Sequence, residues 1–132
     1  MPEKLEVGRT HEVKRLVTPE LTADATGNPG VHVFSTPNLV LLIEVVCYEC
    51  VLPGLTEGQG TVGTRIDLRH LAPTPVGMTV TARAELTVID GRRLVFAVEA
   101  RDEVEPIASG THERFIVNSI PRFVERAMGK KK

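Results

Sequence analysis

TPNLVLLIEVVCYECVL, residues 36–52, decides the fold. Thr36 can cap the first free N–H groups of a helix, and Pro37 suits the first helical position, where its missing donor costs nothing. From Leu39 to Leu52 the run is apolar on every face except at Glu44 and Glu49. A helix apolar all round belongs inside something. The run is shorter than the ~18 to 20 residues that span a bilayer, so protein rather than lipid is expected around it. Glu44, flanked by Leu41, Leu42, Ile43, Val45 and Val46, is expected to lose much of its hydration, which is costly unless the carboxylate is paired or protonated. Buried unpaired carboxylates are rare, which favours a functional role for Glu44 over a packing one. Glu49, about 140° further round the helix, does not share its face and is expected to emerge towards solvent.

The rest of the composition is ordinary. A chain of 132 residues, 42% hydrophobic and 25% charged, fits one domain that buries about two-thirds of its unfolded surface. A net charge of −1, one Tyr and no Trp offer neither a basic footprint nor stacking aromatics for nucleic acid. The opening MPEKLEVGRTHEV lacks a charged-then-apolar leader and reads as the start of a mature cytoplasmic domain. Cys47 and Cys50 form a C-x-x-C pair, but at the negative end of the helix, whereas redox thiols use the positive end to lower their pKa. No second pair completes a zinc site, and His11, His32 and His112 show no ligand spacing, so packing is the expected role and no metal or cofactor is implied.

Outward from the helix, RTHEVKRLV (residues 9–17) alternates as a first strand. Residues 18–35 hold two Pro and two Gly and read as a lid-like loop with short helical turns. In TVGTRIDLRHL (residues 61–71), alternation sets Val62, Thr64, Ile66, Leu68 and His70 on one face and Gly63, Arg65, Asp67 and Arg69 on the other. The apolar face should cover the helix, which brings His70 within sight of Glu44. MTVTARAELTVI points Met78, Val80, Ala82, Ala84, Leu86 and Val88 inward, Asp90-Gly91 turns the chain, and Leu94, Phe96, Val98 and Ala100 return on the same face. IASGTHERFIVN gives conflicting faces unless a bulge lies near Gly110. Residues 121–129 read as a short amphipathic helix closed by Gly129, with Lys130 to Lys132 frayed. The expected architecture is α+β: a long central helix wrapped by a curved antiparallel meander. One sheet layer leaves the helix partly uncovered, so a homodimer is expected.

FSTPNLVLLIEVVCYECV, EGQGTVGTRIDLRHLAPTPVGMTVTARAEL, DGRRLVF and IASGTHER also carry a resemblance. Across residues 33–118 the chain resembles the hotdog-fold thioesterases, and most closely the fluoroacetyl-CoA thioesterase-like group. The resemblance implies a hotdog fold of about five strands, an acyl-CoA substrate, and a catalytic set of Thr36, Glu44 and His70, whose spacings match. It also places Gly63, Arg114 and Phe34 against substrate. Fluoroacetyl-selective members carry phenylalanines in the lid, where this chain holds Gly27 and Gly30, so hydrolysis of a small or short acyl-CoA is implied without that selectivity.

Thioester hydrolysis needs a nucleophile at the carbonyl carbon, a base for water's proton and donors for the developing oxyanion. Glu44 serves as base or as nucleophile, and His70, ordinarily titrating near neutrality, can orient it and protonate the leaving thiolate. Thr36 would hold carbonyl or water, and a backbone N–H near Gly63 would meet the oxyanion. Blander accounts stand beside these: Thr36 as a cap alone, His70 as a core histidine on a backbone carbonyl, Arg114 at the surface. The alternative from another class is a hotdog protein that binds acyl-CoA as carrier or sensor without turnover.

Overall fold

The computed structural model describes residues 2–131. Strand β1 (Thr10–Leu16) leads into a loop, with 3₁₀ turns at Pro19–Leu21 and Asp24–Thr26, and then into helix α1 (Thr36–Val51). Strands β2 (Gly60–His70), β3 (Thr79–Asp90), β4 (Arg93–Arg101) and β5 (Pro106–Val117) follow, and α2 (Ile120–Met128) ends the chain. A further 3₁₀ turn, Gly129–Lys131, continues α2 where fraying of Lys130 to Lys132 was expected, Lys132 itself lying outside the described residues.

All five strands form one antiparallel sheet in the order β1-β3-β4-β5-β2. The meander is therefore restricted to β3–β5, and β2 crosses to the far edge, leaving its outer side unpaired. Helix α1 lies on one face of the sheet, packed mainly on β3 and β1 and only lightly on β2. Leu39, Leu42, Ile43, Val46, Cys47, Cys50 and Val51 bury against Val80, Ala82, Ala84, Leu86, Leu94 and Phe96. With its 3₁₀ extension to Gly54 the helix runs 19 residues, enough by length and composition to cross a bilayer, yet its inner face is packed on the sheet. Its outer face is bare: Leu41 is 55% and Tyr48 40% exposed, so one chain does not provide the all-round burial that the apolar run calls for.

Three irregularities decide which side chains look inward. Opposite one residue of β5, β2 spends two, so the register passes from Gly63↔Arg114 to Arg65↔Glu113 and Thr64 is left over. Before this bulge Thr61 and Gly63 face the helix; after it Ile66, Leu68 and His70 do. Gly63 thus joins the inner face, contrary to simple alternation, and His70 stays on it. A second bulge at Thr87 turns Val88 outward, correcting its expected burial. Both bulged threonines donate to a carbonyl of the neighbouring strand, Thr64 to Glu113 O at 3.2 Å and Thr87 to Val95 O at 3.1 Å, where the ladder is interrupted. The third irregularity, at Ile107 rather than near Gly110, reconciles β5: Ala108, Gly110, His112 and Arg114 all face inward and Phe115 faces out. Gly110 is small because a Cβ there would strike the β2 backbone at Asp67 O.

Candidate active site

Ser35, not Thr36, caps α1: its Oγ accepts from Asn38 N–H at 3.2 Å and from Asn38 Nδ2 at 2.7 Å. The Thr36 hydroxyl is consequently free of capping, and it lies 2.8 Å from His70 Nδ1 at the end of β2. His70 Nε2 is buried without a hydrogen-bond partner among the described residues. Burial pushes the imidazole pKa down, with the Ala72 backbone opposing it, so the ring is held neutral at pH 7 and keeps a nitrogen lone pair for a proton.

Two turns further along α1, Glu44 enters a different group. Its carboxylate packs over Gly63, where a Cβ would collide with Oε1, and Oε1 is 3.6 Å from Arg114 Nη1. Arg114 is buried, donating from Nε to Thr61 Oγ1 at 2.8 Å and from Nη2 to Thr61 O at 2.9 Å, while its guanidinium sits 5.8 Å from the Tyr48 ring centroid. Burial lowers the Arg114 pKa, and the Glu44 charge raises it in opposition. His112 completes the group, 3.3 Å from Arg114 Nη1 through Nε2 and 2.8 Å from Arg65 O through Nδ1. Val40, Glu44, Gly63, Thr64, Arg65, Ile66 and His112 line an open cleft of ≈ 220 Å³ between α1 and the edge strand.

Within one chain these are two separate groups. Thr36 and Glu44 are separated by about 12 Å of helix rise, and His70 is seven residues beyond Gly63, roughly 20 Å of strand. The expected facing of His70 and Glu44 is therefore absent from the single chain: the start of α1 lies at the end of β2, and Glu44 lies over the Gly63 end of the strand. Nor is Glu44 dry: its side chain is 42% exposed. A cationic floor on one side and open space on the other is an arrangement suited to receiving an electron-rich ligand and whatever closes over it.

A profile of the family described as fluoroacetyl-CoA-specific thioesterase matches residues 17–120. The chain belongs to that family. The fluoroacetyl-CoA thioesterase of Streptantibioticus cattleyicolor is 46% identical over 87 residues, 66% of this chain and 63% of that protein, so the aligned stretch spans under two-thirds of the relative. Among solved structures, a single-residue variant of the fluoroacetyl-CoA thioesterase in complex with acetyl-CoA superposes with a TM-score of 0.89 at 35% identity, covering 97% of this chain and 100% of that one. A hot-dog-like protein from Thermanaerovibrio acidaminovorans gives a TM-score of 0.86 at 25% identity over 96% and 93% of the two chains. The fold is the hotdog fold, and the chain is a thioesterase homologue.

Against the family pattern the structure sorts the expected residues. Thr36 is brought to His70, and Glu44 to Gly63 and Arg114. Phe34, expected against substrate, is a core side chain, 1% exposed, with its N–H held by Thr74 O at 2.8 Å. Gly27 and Gly30 adopt φ of 109° and 86°, a left-handed backbone that a phenylalanine adopts only with strain. Alternation alone missed His112 and Thr61. The signal for His112 was the i, i+2 pairing with Arg114 in THER, which places both on one face whichever face that is. Cys47 and Cys50 are buried free thiols; burial raises both pKa values, with Arg114 opposing at Cys47 and Arg9 at Cys50, as packing rather than redox chemistry requires.

Proposed function

We propose that the protein is a homodimeric, cytoplasmic hydrolase of small acyl-CoA thioesters, in which the Thr36–His70 pair of one protomer and the Glu44 cleft of the other form each active site. The observation that carries it is the separation of the half-sites within one chain, with an exposed apolar α1 face and an unpaired β2 edge beside them. A second copy laid along that face covers Leu41 and Tyr48, dries Glu44 and supplies the missing half. The membership in a thioesterase family and the acetyl-CoA complex of a relative support the substrate class.

In the proposed reaction Thr36 holds the carbonyl or the attacking water, and Glu44 acts as base for water or attacks the carbonyl carbon itself. The Gly63 backbone N–H and the Arg114 guanidinium meet the oxyanion. In the base route the proton that Glu44 takes from water passes by way of His70 to the thiolate as the C–S bond breaks, giving free acid and CoA. In the nucleophilic route CoA leaves as thiolate while a Glu44–acyl anhydride forms, and water then hydrolyses that anhydride, His70 relaying one water proton to the thiolate and Glu44 returning as carboxylate. Single turnover in ¹⁸O-water separates the two roles of Glu44, because only the nucleophilic route leaves label in its carboxyl group.

The test is thiol release across acyl-CoA esters from acetyl to long-chain, with Glu44→Gln and His70→Ala as separate controls and as a co-refolded mixture. A composite site restores about a quarter of wild-type activity to the mixture, since half the dimers are mixed and each regains one of two sites. No restoration in mixed dimers sinks the shared site. CoA-ester binding by calorimetry with no thiol release by wild type assigns the protein to binding without turnover.

A further inference from the structure

Arg114 has five N–H donors and no acceptor, which fixes what its neighbours must be. Two of its nitrogens, Nε and Nη2, are tied to Thr61. Two fixed points make a hinge: the guanidinium plane can still swing about the line joining them, carrying Nη1, the nitrogen next to Glu44, through an arc. Against that nitrogen lie His112 Nε2 at 3.3 Å and Glu44 Oε1 at 3.6 Å, and of the two only the ring is fixed by burial and a bond to backbone. Because Arg114 can only donate, Nε2 must present its lone pair, and the ring proton then sits on Nδ1, 2.8 Å from the Arg65 carbonyl, which can only accept. Both neighbours thus demand the same neutral tautomer. The ring is stacked 6.3 Å from Phe96 at an interplanar angle of 27°, and the residue is 2% exposed.

We propose that His112 is a positioning residue for the reaction: a neutral imidazole, locked as the Nδ1–H tautomer by Arg65 O, that holds Arg114 at a third point and aims its Nη1 at the Glu44 cleft. This rests on the thioesterase reading and extends it to a residue outside the expected catalytic set. The groups facing the ring are Arg114 and Glu113 from β5, Glu44 from α1, the Arg65 carbonyl from β2 and the Phe96 ring from β4. Protonating Nε2 would set an imidazolium against a guanidinium, and burial first, then Arg114, holds the pKa below the ordinary histidine value, in keeping with a neutral ring.

Three variants divide the ring's functions. His112→Gln keeps an acceptor within reach of Arg114. His112→Asn keeps a donor for Arg65 O but no acceptor for Arg114. His112→Phe keeps the stack and neither polar contact. Wild type is assayed first, and failure to release thiol there counts against the functional reading alone. With wild type active, His112→Gln should stay within about threefold of it in kcat, while His112→Asn and His112→Phe lose on the order of tenfold to a hundredfold in kcat with KM little changed. Thermal melting confirms that the compared variants are folded; should His112→Phe not fold, His112→Asn carries the comparison. A folded His112→Asn with wild-type kcat overturns the proposal. Long-range ¹H–¹⁵N spectra of the wild-type ring give a readout independent of turnover. A protonated Nδ1 and a bare Nε2 at neutral pH are expected, and a protonated Nε2 overturns the assignment.

Discussion

Gly63→Ala separates the packing of the Glu44 cleft from its chemistry. The new Cβ would overlap Glu44 Oε1 and approach His112 Cε1 at 3.2 Å and Arg114 Nη1 at 3.4 Å. His112 and Arg114 are pinned by hydrogen bonds, whereas Glu44 is the end of a flexible, half-exposed side chain, so the carboxylate is what gives. Reaching ordinary contact takes a retreat of about 1 Å, and a misplacement of that size can cost about a hundredfold in rate. Gly63 is not among the glycines with positive φ, so alanine meets no backbone strain, and the loss of glycine's unfolded-state freedom contributes about 0.4–1 kcal/mol in its favour. That gain offsets much of the cost of moving an exposed carboxylate. The expected outcome is a thermal midpoint within a few degrees of wild type and a kcat for acetyl-CoA lower by about two orders of magnitude. The assay is thiol release under saturating substrate beside a melting curve. A Gly63→Ala protein that turns over within about threefold of wild type would refute the placement of Glu44 over Gly63 as the working geometry.

Other perturbations read other parts of the structure. Ser35→Ala should cost about 1 kcal/mol in urea unfolding as a lost cap, whereas Thr36→Val should leave stability nearly unchanged and strip activity, with Thr36→Ser retaining most of it; equal stability losses at the two positions would contradict the cap assignment. Phe34→Ala should destabilise by about 3–5 kcal/mol, and a stable variant with only a raised KM would return Phe34 to the substrate. Stability should fall as pH drops below the ordinary histidine value of 6.5: with folded-state pKa values of His70 and His112 depressed by burial, the unfolded chain binds the protons first. His112→Gln should flatten that slope in urea titrations between pH 7 and 5, and an unaltered slope would show that His112 contributes nothing to it.

Helix α1 and the β3–β4 hairpin were legible because each carries its own local instruction. Pro37 and an apolar run mark the one; Asp90-Gly91, with Gly91 at φ 60°, marks the other. The position of β2 was not legible, since no local feature of residues 60–70 states that its partner is β5 rather than β3. Nor were the bulges, which is where the site was misread. Thr64 and Thr87 are strand-forming residues; no Gly or Pro adjoins Thr87, the Gly63 beside Thr64 marks a close approach as readily as a bulge, and one extra residue reverses the facing of everything on one side of it. Gly63 was recognised as a place of close approach yet assigned to the outer face for this reason. Arg114 and His112 were obscured the same way, because the β5 irregularity sits at Ile107 while the visible glycine is at 110. The cap went to Ser35 instead of Thr36 because both hydroxyl residues stand at the helix start and only the backbone angle of Ser35, φ −79° and ψ 151°, decides which lies outside it.

The largest misreading, a dry Glu44, has a different origin, and it argues for the second copy. Periodicity reports the environment selected for a side chain in its working assembly, whereas a single chain covers only what its own sheet can reach. Leu41 and Tyr48, three residues before and four after Glu44 on α1, and Ile66, which lines the cleft with it, are apolar and exposed on the side of the carboxylate. Were the isolated chain the working form, polar residues at 41 and 48 would serve as well, and the helix would show the one-sided pattern of a surface helix. On that account the apolar residues of the outer face and the charge in their midst are one requirement: the face must be greasy to be covered, and it must be covered for the carboxylate to meet a thioester away from bulk water.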